Sequence, residues 1–133
     1  MRAILIVEDE KMVLDVLKLA LTRAGFKVET ASTGKEGIQK FDQGEVALVI
    51  TDIRMSGGID GHDVCQHIRN SNRPFTPVIG MSGTPWLLEN SDFDAILPKP
   101  FGIQELLKAV QTFTATPLYE KMRPKEALNG YQP

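Results

Sequence analysis

The sequence contains a single cysteine, Cys65, among its 133 residues. One thiol cannot form an internal disulfide, and it cannot build a zinc site of the cysteine-based kind. A chain without disulfides suits the reducing cytosol, so we expect a cytoplasmic protein. At this length one domain buries enough surface to be stable without covalent links.

The sequence also lacks an apolar run long enough to span a bilayer, and its first residues show no cleavable signal pattern. The net charge is only −2, with 42% hydrophobic and 24% charged residues, as in ordinary soluble domains. A charge so near zero provides no general attraction to nucleic acid or to an anionic membrane. We therefore expect neither direct nucleic-acid binding nor membrane association.

The apolar residues follow two alternating patterns. Unbroken runs such as 46–51 are typical of strands covered on both faces. Other apolar residues recur at helical spacing, as in a first helix whose apolar positions run from Met12 through Val16 to Ala24 and which Gly25 ends. Strands that alternate with helices predict a parallel sheet with right-handed crossovers.

Five strands are predicted in this way, over residues 3–7, 26–30, 46–51, 77–81 and 95–97. Ser32 is predicted to cap the second helix. The third helix follows Gly61 and contains His62 and His67, which we expect at the surface. The last helix begins near Ile103. The pattern ends after residue 113, so we predict a domain over 1–113 and a loosely ordered tail over 114–133.

Polar side chains follow four of these strands, namely Glu8 and Asp9, then Asp52, Ser82 and Lys99. Each has an ordinary explanation when taken alone: a turn residue, an acidic first helical turn, or a solvated lysine. Because parallel strands end at the same edge of a sheet, however, all five are expected to meet there. Their joint occurrence favours a functional site.

Three carboxylates in one place repel each other unless a cation or a proton relieves the charge. A set of oxygen donors without histidine or cysteine suits Mg²⁺. Such a cation would also neutralise a phosphoryl group and orient it against Asp52, with Lys99 and Ser82 contacting the same oxygens. Attack by Asp52 on phosphorus would produce an acyl phosphate.

With these residues, the chain resembles the receiver domain of bacterial response regulators. The resemblance covers residues 2–113 and rests on the segments ILIVEDE, LVITDIRMSGGIDG, MSG and LPKPF. It implies an α/β, flavodoxin-like fold with a doubly wound five-stranded parallel sheet in the order 2-1-3-4-5. It also implies a switch of two-component signalling rather than an enzyme, since such a domain assists only its own phosphotransfer and autodephosphorylation. The implied partners are a histidine kinase or histidine phosphotransfer protein and an unknown downstream protein target.

The resemblance also implies a role for each site residue. Asp52 would be the phosphoacceptor, Lys99 the phosphate-binding lysine and Ser82 the switch hydroxyl. Asp9 and Asp52 would bind Mg²⁺ directly and Glu8 through water, with the backbone carbonyl of Arg54 as a further ligand. The peptide bond between Lys99 and Pro100 would be cis.

Three departures from the family pattern carry expectations of their own. The family usually reads MPGMDG where this chain reads MSGGIDG, so one residue is added and the proline is missing. The loop should therefore be more mobile, while the metal geometry survives because Arg54 precedes the insertion.

The second departure is Ile96, which stands where the family usually has an aromatic ring, so no ring can relay the signal.

The third departure is the short connection of sixteen residues between Ser82 and Lys99. Thr84 would cap a helix from Pro85, and Asn90 and Ser91 would soon interrupt it. We expect a shortened or irregular fourth helix and no dimer of the usual kind through the fourth helix, fifth strand and fifth helix. The protein would be a monomer or a weak dimer.

Other functions fit less well. A phosphatase of the haloacid dehalogenase type needs a second aspartate where this chain has Arg54, and a flavin carrier would be hindered because the acidic residues after the first strand repel phosphate. The stronger competitor is a receiver-like interaction module that is never phosphorylated. The intact acidic residues argue against it, because concentrated negative charge is costly in a site without chemistry.

Overall fold

The computed structural model describes residues 2–88 and 92–115 of the chain. The strands are β1 (Ala3–Val7), β2 (Val28–Ala31), β3 (Val46–Asp52), β4 (Val78–Ser82) and β5 (Ala95–Pro98). The helices are α1 (Lys11–Arg23), α2 (Gly34–Gln43), α3 (Gly61–Arg69) and α4 (Ile103–Thr114), and a 3-10 helix spans Pro85–Leu88. All strand pairs are parallel, in the order β2-β1-β3-β4-β5. The predicted fold and strand order are confirmed.

The central strands are buried on both faces, as their unbroken apolar runs predicted. In β1, Ile4 and Ile6 join the hydrophobic cluster on one side of the sheet, and Leu5 joins the cluster on the other. Successive side chains of a strand point to opposite faces, so one short strand serves both halves of the core. This double burial places the middle of the sheet, and hence its carboxyl edge, in a rigid frame.

The core face of α1 is formed by only some of its apolar residues. Leu14, Leu17 and Leu21 are buried, whereas Met12 is 84% and Val16 55% exposed. The helical spacing predicted the helix, which is confirmed, but it did not show which of the apolar residues are buried. The helix carries apolar residues on two faces, and only its packing on the sheet decides which face is buried. Gly25 follows the helix with φ of +98°, a conformation that costs glycine little.

The cap of α2 is Thr33, not Ser32. The Thr33 hydroxyl accepts the N–H of Glu36 at 3.0 Å, and the Glu36 carboxylate accepts the N–H of Ser32 at 2.8 Å. A capping residue pairs with a glutamate three positions later, and Glu36 stands three positions after Thr33. The second strand also begins later than predicted, at Val28.

The connection between β4 and β5 is short, as expected. Over the residues that can be described there, it contains the single 3-10 turn Pro85–Leu88, with Trp86 70% exposed. The predicted interruption at Asn90 and Ser91 lies outside the described residues, as do residues 116–133 of the predicted tail. No helix within the described residues is both long and apolar enough to cross a bilayer.

Candidate functional site

The sheet delivers its polar residues to one edge. Glu8 follows β1, Asp52 ends β3 and Ser82 ends β4. The neighbouring strands are in register there, with Asp52 opposite Met81 and Ser82 opposite Pro98. The backbone N–H of Lys99 donates to the carbonyl of Ser82 at 2.8 Å, which fixes the start of the loop after β5. The Lys99–Pro100 peptide bond is cis, as predicted.

Three carboxylates meet at this edge. Glu8, Asp9 and Asp52 each offer an oxygen, and these oxygens all lie within 4.8 Å of one another. Glu8 is fully buried and Asp52 is 7% exposed, while Asp9 is exposed. The cluster therefore has a buried floor and one acidic residue on the solvent side.

Lys99 is the cation nearest these carboxylates among the ion pairs of the described residues. Its Nζ lies 3.1 Å from Asp52 Oδ1, where it donates a hydrogen bond. The same Nζ lies 3.9 Å from Glu8 Oε1. One positive charge thus faces three carboxyl groups, and the pocket keeps an excess of negative charge whenever all three are ionised.

Burial and crowding perturb these carboxyl groups. Burial raises the pKa of Glu8 to about 7, and the charges of Asp52 and Asp9 act in the same direction, although the Glu10 N–H and Lys99 oppose them. Burial also raises the pKa of Asp52, and Lys99 offsets part of that increase. Strong desolvation beside a specific charge partner is typical of functional sites.

The two oxygens of Glu8 differ in their partners. Oε2 accepts the Glu10 N–H at 3.1 Å, whereas Oε1 is buried and has no hydrogen-bond donor among the residues that the structure describes. A buried carboxylate oxygen without a donor is costly, and a cation would remove that cost. Oxygens on opposite sides of Mg²⁺ are about 4.2 Å apart, so a cluster within 4.8 Å needs only a small contraction to fit it. The donor set and its spacing therefore fit a small divalent cation.

An open cleft of about 300 Å³ lies beside Asp52 and is lined by Asp52, Ile53, Arg54, Met81, Ser82, Gly83, Thr84 and Lys99. Ser82 lies at the cleft, but its hydroxyl accepts the N–H of Thr84 at 3.0 Å and lies 3.4 Å from the Thr84 hydroxyl. Arg54 is exposed on the rim; the role of its carbonyl as a ligand stays a prediction. The cleft provides room for a small anion in contact with Asp52 and Lys99.

Sequence reasoning missed two residues that shape the site. Ser56 contacts Asp9 through its N–H at 3.2 Å and its hydroxyl at 3.4 Å. Gly61 donates its N–H to the Ile53 carbonyl at 2.8 Å, and a Cβ there would lie 2.4 Å from the carbonyl oxygen of Asp52. Only glycine permits this close approach of α3 to the end of β3. The D-G pair before α3 was the available signal for Gly61, whereas no local pattern indicates the contact of Ser56.

The two histidines lie outside the site. His62 packs edge-to-face on Phe93, with ring centroids 5.4 Å apart. His67 Nε2 lies 2.8 Å from Asp42 Oδ1, and its side chain is 34% exposed.

Ile96 is half-buried beside Gly80, where a Cβ on that glycine would come within 3.2 Å of the isoleucine. The position where the family usually has an aromatic ring is thus filled by an isoleucine that packs against the Gly80 backbone.

The family model for the response regulator receiver domain matches residues 4–111. The chain belongs to the response regulator receiver family. It is 33% identical over 129 residues to the transcriptional regulatory protein YrkP of Bacillus subtilis, covering 92% of this chain and 54% of the relative. It is 31% identical over 112 residues to the transcriptional regulatory protein AfsQ1 of Streptomyces coelicolor, covering 84% of this chain and 46% of the relative.

This receiver domain also has close structural neighbours. One is the response regulator TrrA from Thermotoga maritima, whose crystal structure was determined in complex with Mg²⁺-BeF. The two have 32% sequence identity and a TM-score of 0.76, over 85% of this chain and 99% of TrrA. The chain spans about half the length of the curated relatives named above. The match to the family model makes the chain a receiver domain of two-component signalling. Receiver domains are signalling switches and not classical enzymes.

Proposed function

We propose that this receiver domain is switched by transfer of a phosphoryl group onto Asp52. The observation that carries the proposal is the pairing of Asp52 Oδ1 with Lys99 Nζ at 3.1 Å, in a pocket shared with two further carboxylates. Asp52 is almost fully buried yet opens onto the cleft. A carboxylate held beside a cation at a cleft is well placed to attack phosphorus.

The donor is a phosphohistidine on a partner kinase or phosphotransfer protein. An oxygen of Asp52 forms the new bond to phosphorus while the bond from phosphorus to the histidine nitrogen breaks. The electron pair of the broken bond returns to the imidazole. Lys99 changes from pairing with the carboxylate to pairing with the phosphoryl oxygens, so its charge is never left without a partner in the pocket.

The carboxylates are proposed to hold Mg²⁺, with Asp9 and Asp52 as direct ligands and Glu8 acting through water. The cation supplies charge neutralisation for the phosphoryl oxygens when it is bound. The unpartnered oxygen of Glu8 and the all-oxygen donor set support this assignment. The carbonyl of Arg54 completes the proposed set of protein ligands.

Ser82 is proposed to report the phosphoryl group to the surface. Its hydroxyl is engaged by Thr84 within its own loop. A phosphoryl group adds about −1.5 to −2 charges and three acceptor oxygens, so it competes with the Thr84 hydroxyl for the Ser82 O–H, while the Ser82 oxygen can still accept the Thr84 N–H. A change of partner at Ser82 would bias the loop after β4 between two arrangements. Because Ile96 is not aromatic, the change would reach the surface without a ring.

An apolar stripe on α1 supports a protein as the donor. Met12, Val16 and Leu19 are 84%, 55% and 51% exposed, at the spacing that places them on one helix face. The helix starts two residues after Asp9, at the same edge of the sheet. Exposed contiguous apolar surface marks protein interaction sites, and this stripe would let the donor's histidine approach Asp52.

The remaining elements of the proposal concern the whole protein. Residues 1–113 form the receiver domain, which acts in the cytoplasm on an unknown downstream protein. The short connection after β4 favours a monomer or a weak dimer. Sedimentation of the phosphorylated form measures this, and a tight dimer abolished by mutation near β5 and α4 would contradict it.

Incubation with Mg²⁺ and acetyl phosphate tests the proposal. Intact-protein mass spectrometry should show one added phosphoryl group in the wild type and in the control Asp15→Asn, whose carboxylate is exposed on α1. Asp52→Asn and an excess of chelator should both abolish the adduct. An adduct that persists in Asp52→Asn would refute the assignment. Absence of any adduct in the wild type would support the unphosphorylated interaction module.

A further inference from the structure

The three carboxylates of the site are held in place by different means. Glu8 is buried, with one oxygen on the Glu10 N–H, and Asp52 is held by Lys99. Asp9 is exposed, and both hydrogen bonds that it accepts within the described part of the chain come from Ser56. The orientation of Asp9 therefore depends on the loop after β3, from a residue 47 positions away in the sequence.

The sequence of the loop after β3 departs from the usual family pattern. Ser56 occupies the position where the family pattern usually has proline, which has no N–H to donate. Gly57 and Gly58 follow with φ of +96° and +86°, a conformation that other residues rarely adopt. The inserted residue and the two glycines thus let the chain turn while the Ser56 N–H faces Asp9.

We propose that Ser56 is a positioning residue for the divalent cation, because it holds Asp9 Oδ2, and no hydrogen bond among the described residues engages Oδ1, which leaves that oxygen for the cation. Both Ser56 donors contact the same oxygen, at 3.2 and 3.4 Å. Hydrogen bonds from neighbouring groups orient the carboxylates that bind metals, and their loss typically weakens metal binding about 10- to 100-fold. This inference rests on the proposed Mg²⁺ site and adds a residue to it.

Linkage makes the effect reciprocal. If the contact between Ser56 and Asp9 strengthens cation binding, then cation binding must strengthen the contact by the same factor. The loop after β3 is consequently more ordered when the cation is bound. The Ser56 amide hydrogen provides a direct readout, because its exchange with solvent requires the contact to open.

Isothermal titration of the unphosphorylated full chain with Mg²⁺ tests the proposal. Ser56→Pro removes both donors and should weaken binding about tenfold, the lower end of the typical range because the contacts are long and exposed. Ser56→Ala keeps the N–H and should weaken binding by about two- to threefold. Ser56→Thr keeps both donors and should bind as the wild type does. Melting of the metal-free variants checks that each is folded.

Amide exchange measured by NMR supplies the second readout. Added Mg²⁺ should slow exchange of the Ser56 amide in the wild type but not in Asp9→Asn. Equal or tighter Mg²⁺ binding by folded Ser56→Pro and Ser56→Ala would overturn the inference, as would faster exchange on adding Mg²⁺. If the wild type itself binds no Mg²⁺, the proposed cation site fails. If it binds while the Ser56 variants match it, only the role of Ser56 fails.

Discussion

Replacement of Glu8 by glutamine should stabilise the metal-free protein and flatten its pH dependence. Glu8 is fully buried, and within the described part of the chain its Oε1 has no hydrogen-bond donor. Burial raises its pKa from 4.5 to about 7. A folded-state pKa above the unfolded value means that the folded protein binds the proton more tightly. The stability associated with protonated Glu8 is therefore complete below pH 4.5 and is lost as the pH rises through about 7.

The size of the effect follows from the two pKa values. Each pH unit between them corresponds to about 1.4 kcal/mol, so ionised Glu8 costs the fold about 3 kcal/mol, given the rise from 4.5 to about 7. Glutamine is neutral at every pH and similar in size. Glu8→Gln should thus exceed the wild type by up to about 3 kcal/mol at pH 8 and by nearly nothing below pH 4.5.

Urea unfolding in the presence of a chelator, repeated from about pH 4 to 8, measures this difference. The matched control is Glu10→Gln, since Glu10 is a neighbouring glutamate with an exposed side chain; its curve should parallel that of the wild type. Asp52 also has a raised pKa and contributes in the same direction in all three proteins. Because its charge also raises the pKa of Glu8, the difference between Glu8→Gln and the wild type measures Glu8 together with this coupling. Parallel curves for Glu8→Gln and the wild type would refute the reasoning.

Three other changes test separate parts of the molecule. Gly61→Ala places a Cβ 2.4 Å from the Asp52 carbonyl oxygen and should cost about 1–3 kcal/mol in thermal unfolding, whereas Gly83→Ala, with no heavy atom within 4 Å of its Cβ, should cost little; equal losses would contradict the close approach. Lys99→Met removes the cation that lowers the pKa of Asp52, so adduct formation with acetyl phosphate should shift to higher pH, and an unchanged pH profile would exclude this role. Met12→Glu introduces charge into the apolar stripe of α1 and should slow transfer from a phosphohistidine protein by about tenfold, as a loss of about 1.4 kcal/mol in docking predicts, without changing the rate with acetyl phosphate. Equal slowing with both donors would argue against docking on α1.

The amino-acid sequence determined the sheet and the position of its chemistry. Short unbroken apolar runs that alternate with helical patterns are typical of strands covered on both faces, and parallel strands joined by crossovers end at one edge. Both features are local patterns combined with general rules of topology. For that reason the sequence predicts that Glu8, Asp52 and Lys99 lie together, and in the structure one oxygen of Glu8 and one of Asp52 lie within 4 Å of Lys99 Nζ.

The cap of α2 was predicted wrongly although the sequence contained the signal for the correct residue. Ser32 and Thr33 are both good caps, and Glu36 three residues after Thr33 selects between them. For the buried face of α1, in contrast, the sequence contained no such signal. Met12 and Val16 are as apolar as the buried Leu14 and Leu17, so helical spacing alone fits either face. Only packing against the sheet decides between them, because burial is a property of the neighbours rather than of the helix.

Tertiary structure alone decided how the site is tuned. Among the described residues, Oε1 of Glu8 has no hydrogen-bond donor because it is completely buried at the end of β1. The local sequence does not determine how many donors surround a buried atom. The contact between Ser56 and Asp9 joins residues that are far apart in the chain, through a loop whose path depends on two glycines with positive φ. Local sequence specifies the elements and the edge where they end, whereas desolvation and contacts between distant loops exist only once the sheet has closed.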